Sequence, residues 1–170
     1  MAITYEPIVS TTLTSAVANV TFGSIPSTYT DLVLVINNFY STSSSPYISL
    51  QFNSDTTSNY SSTHLEGSGS VASSSRFTSD TLMYFGYNVT SSTTPSNGMA
   101  IINIMNYSNT TTFKTVLGRV SILGGTYPGA SSTVGLWRKT PEAINSILIR
   151  QNAGNLTSGC VLTLSGILKA

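Results

Sequence analysis

LVLVINNFYSTSSSPYISLQF, residues 32–52, carries two strand signatures separated by a Ser-rich turn. In the second, Ile48, Leu50 and Phe52 alternate with Ser49 and Gln51, the period of two that puts successive side chains on opposite faces of a sheet. In the first, Leu32 to Ile36 is apolar at both parities, the pattern of a strand covered on both faces. Working outward, similar short runs rich in Val, Ile, Thr, Tyr and Phe recur along the chain between Ser, Asn, Gly and Pro clusters. They predict strands at Val17–Phe22, Leu32–Phe39, Tyr47–Phe52, Thr81–Tyr87, Ala100–Tyr107, Phe113–Leu123, Val134–Arg138, Ile144–Arg150 and Cys160–Leu168. In the run at 144–150, Ile147 and Ile149 share a face while Ile144 is out of phase.

No stretch shows sustained helical periodicity, and dense Ser and Thr depress helix propensity. Thr140-Pro141-Glu142-Ala143 is the one candidate for a single helical turn, with Pro141 at its first position. Eight or nine strands in 170 residues predict an all-β antiparallel double-sheet sandwich of jelly-roll type, with a closed barrel as the alternative. Residues 1–12, with Pro7 inside an extended run, read as an N-terminal arm, and residues 13–170 as one domain. Within it, residues 53–76 are nearly all small and polar and read as a long loop; residues 88–98 are a shorter version.

Composition then removes whole classes of function. Ser, Thr and Asn number 29, 25 and 13, while only 13 residues are charged and the net charge is +1. No basic stripe is available for a phosphate backbone, so no nucleic-acid partner is expected. One His and one Cys cannot supply a zinc site, and Cys160 has no partner for an internal disulfide. No apolar run is long enough to cross a bilayer, and Met1 to Glu6 lacks the character of a signal peptide. Six N-x-S/T sequons, at Asn19, Asn59, Asn88, Asn106, Asn109 and Asn155, are close to the four or so that this composition generates by chance.

Catalysis finds little to work with. Asp31 and Asp80 each precede a predicted strand, where Asp commonly caps a turn. His64 and Glu66 form the one arrangement resembling an acid–base pair, without a third orienting group, in a segment that reads as solvated loop. No G-x-S-x-G elbow marks a nucleophilic serine, and Gly67-Ser68-Gly69 does not extend into a phosphate-binding loop. No enzyme, cofactor or metal is expected. Trp137, beside Arg138 and Lys139, reads as a half-buried edge residue; Tyr60 and Tyr127 read as exposed loop aromatics able to stack on a sugar. Outward Ser, Thr and Asn can be buried against a neighbour without the desolvation penalty of ions, which points to life in an assembly.

Three segments resemble a family of small tailed-phage virion proteins of marine and freshwater phages, including cyanophages. The first is an I-P-x-T-Y-x-D-L entry to an early strand: Ile25, Pro26, Thr28, Tyr29, Asp31 and Leu32. The second is Phe113-Lys114-Thr115. The third closes the chain with Ile144, Ile147, Ile149, Gly154, Asn155, Leu156, Gly159, Leu164, Gly166 and Ile167, with Cys160 where Ser is usual. The resemblance covers about half the chain. It implies a jelly-roll-like fold, homo-oligomers that are often trimers, and a place on the outer surface of the virion after synthesis in the host cytoplasm. Family members are capsid decoration (cement) or tail-fibre proteins. For a cement protein, Ile3, Tyr5, Pro7 and Ile8 are the expected contacts with the major capsid protein or a neighbouring copy. For a tail fibre, Tyr60 and Tyr127 would meet a host-surface glycan.

Overall fold

The computed structural model describes residues 5–39, 47–86, 98–124 and 127–168. Every regular element in it is a strand: β1 (Tyr5–Thr12), β2 (Asn19–Phe22), β3 (Asp31–Phe39), β4 (Ile48–Phe52), β5 (Tyr60–Gly67) and β6 (Ala72–Asp80) come first. They are followed by β7 (Met83–Phe85), β8 (Gly98–Ile104), β9 (Lys114–Gly124), β10 (Tyr127–Trp137), β11 (Ile147–Gln151) and β12 (Val161–Ile167). They form two antiparallel sheets, ordered β1-β12-β3-β8-β9-β10-β5-β6 and β2-β11-β4-β7. Setting aside the hairpins β5–β6 and β9–β10 leaves β1-β12-β3-β8 facing β2-β11-β4-β7. That is the strand order of a jelly roll, two Greek keys wound together. The two hairpins pair with each other through β5 and β10 and double the width of one sheet.

Alternation explains the core. Leu32, Leu34 and Ile36 on β3 lie across from Ile104, Ile102 and Ala100 on β8, and Leu164 and Leu162 on β12 join them; all are buried. Ile48, Leu50 and Phe52 on β4, with Ile147 and Ile149 on β11, supply the opposing layer. On the other parity of β3, Val33 is buried and Val35 half-buried, so the doubly apolar run is largely covered on both faces. Two glycines let the short β7 nest against the wide sheet: a Cβ at Gly118 would fall 2.2 Å from the Phe85 ring, and one at Gly135 would fall 2.1 Å from the Met83 sulfur. Ile144 is out of phase because it precedes β11; its N–H donates to the carbonyl of Tyr107 and its side chain is buried.

Four sequence expectations need correction. The described part of the arm is β1, paired with β12 from Tyr5–Ile167 to Thr12–Val161. The predicted loop 53–76 contains β5 and most of β6, a hairpin whose inward positions Ser62, His64, Glu66, Ser73 and Ser75 are polar. The count is twelve strands among the described residues, not eight or nine. Residues 140–143 form no helical turn; Pro141 stands in a bend leading to β11.

Two of the three segments quoted for the resemblance, the first and the third, meet in space. Tyr29 lies over Gly166 so closely that a Cβ there would fall 2.2 Å from its ring. The Tyr29 hydroxyl donates to Glu6 on β1 at 2.8 Å, and its N–H donates to the Tyr107 hydroxyl, which itself donates to the Pro26 carbonyl. Asp31 accepts from the N–H of Asn106 at 2.6 Å, a bond across the fold to the turn after β8 rather than a local cap. Gly154, at φ 77, turns the chain between β11 and β12.

Candidate interaction surface

The residues able to do chemistry are inside. Ser62, His64 and Glu66 occupy one face of β5 at a spacing of two, facing Thr133 and Ser131 on β10 and Ser75 and Ser73 on β6. His64 is 0% exposed; its Nε2 lies 2.9 Å from Ser62 Oγ and its Nδ1 3.0 Å from Thr133 Oγ1. Burial lowers its pKa to about 4, so the ring is neutral at pH 7. Phe77 packs edge-on against it at 5.5 Å. The cluster has the atoms of a nucleophile and a base, and Ser62 and His64 are both buried. It is a polar stripe in which His64 bonds Ser62 and Thr133 while the buried hydroxyls of Ser75 and Ser131 have no hydrogen-bond partner among the described residues.

Asp55 tells the same story. Burial would raise its carboxyl, but bonds from Thr57, Asn59 and the Trp137 indole outweigh that and hold it at about 2. Trp137 Nε1 donates to Asp55 Oδ2 at 2.7 Å, and Asn59 Nδ2 donates to the same oxygen at 3.0 Å. Trp137 is therefore a core residue, not an edge one, stacked on Tyr60 at 6.3 Å, with Lys139 Nζ 6.0 Å from its ring. Lys139 also pairs with Glu142 at 3.0 Å, and no group of His, Cys, Asp and Glu suited to a metal occurs among the described residues.

The residues singled out from sequence scatter. Tyr60 is 0% exposed, with its hydroxyl accepting from the Phe52 N–H at 2.9 Å, so it offers no ring face to a sugar. Tyr127 opens β10, but its side chain lies outside the described residues, as does Ile3 altogether. Tyr5 is exposed, Pro7 is exposed, and Ile8 turns in to pack against the core. Asp80 behaves as expected and accepts from the Thr81 N–H at 2.7 Å.

The open chemistry of the molecule is the outward face of the wide sheet. One cross-strand row runs Ser10, Thr163, Val35, Ile101, Arg119, Ser132, Leu65, Ser74. Its neighbour runs Pro7, Ser165, Val33, Asn103, Leu117, Val134, Thr63, Arg76. These rows hold sixteen residues and two charges, both Arg. Leu65 is 64% exposed and Val134 52%, and a groove of about 610 Å³ runs between Leu65, Met99, Ile101, Arg119, Ala130 and Ser132. Sequence reading missed this face because each row takes one residue from each of eight strands, two of them, β5 and β6, lying in or running out of the Ser-rich stretch. No family model, curated protein or solved structure is significantly similar to the chain.

Proposed function

We propose that the chain is a structural protein of a tailed-phage virion, working as a homo-oligomer, and within that class a capsid decoration protein that braces the outer shell. The observation that carries this reading is the outward face of the wide sheet: broad, apolar in patches, and nearly uncharged. Such a face is suited to burial against protein, since contiguous exposed apolar surface marks interaction sites and hydroxyl-bearing neighbours are inexpensive to desolvate. The inward placement of His64, Glu66 and Asp55 favours scaffolding over catalysis. The three segments resembling phage virion proteins supply the context. The tail-fibre alternative loses its described aromatic, Tyr60, to the core.

The test is copy number by quantitative mass spectrometry of purified virions that carry the protein. Hundreds of copies per particle are expected, released with the shell when tails are sheared off. A few to tens of copies travelling with the tail would overturn the capsid assignment, and absence from virions would overturn the class.

A further inference from the structure

The two sheets have four edges, β1, β6, β2 and β7, and three of them are blunted. β1 carries Glu6 and Pro7 and a register shift between Pro7 and Val9; β2 is four residues long and β7 three. These are the devices by which proteins stop sheet edges from pairing. β6 has none of them over its first half. It is nine residues long, contains no proline, and has Arg76 as its one charge before Asp80. Its register with β5 is regular from Ala72 to Phe77, and Ala72, Ser73, Ser74 and Arg76 are exposed. Among the described residues no strand lies beyond it. A strand edge in this state presents outward N–H and C=O groups at alternate residues.

We propose that β6 pairs antiparallel with β6 of a second copy of this chain, joining the two wide sheets across a two-fold axis at Ser75. Three observations select this occupant and register. Antiparallel pairing about an axis normal to the sheet keeps outward residues opposite outward residues, so Arg76 faces the partner's Arg76 or a residue an even number of positions from it. Centring on Arg76 would oppose like charges, which is destabilising; centring on Ser75 puts Arg76 opposite the partner's Ser74. Second, Ser75 Oγ is buried and has no hydrogen-bond partner, and a two-fold at this residue brings the partner's Ser75 hydroxyl directly across from it. Third, the same symmetry sets the two outward faces on one side, so that the exposed Leu65 beside each β6 borders a single continuous face. The contact is isologous and closes at two copies. It deepens the homo-oligomer part of the reading above and uses none of the virion resemblance.

The test is the solution mass of the full chain by analytical ultracentrifugation over a dilution series. The wild type is expected to dissociate reversibly from dimer to monomer. S74K sets Lys opposite the partner's Arg76 twice and should weaken the dimer about tenfold, whereas S74E should tighten it several-fold. Ser74 is exposed on the outward face, so both variants should keep the wild-type circular dichroism. Should S74K fold poorly, S74K/R76E supplies a second readout, because swapping the charges should restore dimerisation to at least the wild-type level. A monomeric wild type, a trimer, or S74K and S74E shifting the dissociation constant in the same direction would each overturn the pairing. Copy number in virions stays unaffected by any of these results, so the two proposals fail separately.

Discussion

Gly166 is a single hydrogen where any other side chain would enter the Tyr29 ring. Gly166→Ala forces that ring away from β12 and strains its bond to Glu6, the tie between β1 and the turn before β3. Overpacking of this kind costs about 1–3 kcal/mol, so a chemical denaturation curve should shift its midpoint accordingly without changing slope. His64 makes a second residue-scale prediction, in pH. Its folded pKa of about 4 lies below the unfolded value of 6.5, so the unfolded chain takes up the proton first as pH falls. Stability is then complete above pH 6.5 and declines toward pH 4, by on the order of 3 kcal/mol for a shift of this size. Asp55 acts lower: its carboxyl, held at about 2, contributes above the unfolded 3.8 and loses that contribution as pH falls toward 2. His64→Asn should abolish the loss between pH 6.5 and 4 and leave the lower one, as followed by thermal melts across that range.

At the scale of elements, β1 is an integral edge strand, hydrogen-bonded to β12 along its length and packing Ile8 and Val9 on the core. Deleting residues 5–12 should therefore strip β12 of a neighbour, expose an unblunted edge, and produce aggregation on size-exclusion chromatography in place of a trimmed but intact oligomer. The arm reading failed because Pro7 and an isolated position in the chain suggested no partner; the mate is the last strand, which local pattern cannot reveal. β3, β4, β8, β9 and β12 were legible because their inward positions are apolar and regularly spaced. β5 was not, because its polarity is inverted: Ser62, His64 and Glu66 face in while Leu65 faces out. An alternation test that equates inward with apolar reads such a strand as loop. Half of β10 was lost the same way, since Ser131 and Thr133 fill its inward positions before Gly135 and Trp137. The candidate site was illegible for a related reason: a face assembled from eight strands exists only once the register is known.

For the whole molecule, the order of the wide sheet governs more than shape. β12, the last strand in the sequence, lies between β1 and β3, two of the first three. Neither early strand can complete its pairing until residues 161–167 are present. A chain cut after residue 158 should consequently lack cooperative unfolding by calorimetry, even though nine of the eleven remaining strands keep their neighbours and only β1 and β3 lose one. On the intact chain, pairings of such long sequence separation belong to the slow end of two-state folding, in milliseconds to seconds or longer, which stopped-flow fluorescence of Trp137 would record. During synthesis the consequence is a waiting period. With residues emerging at roughly 5–20 per second, the ribosome holds β1 and β3 open for many seconds while the strand that will part and join them is still being made.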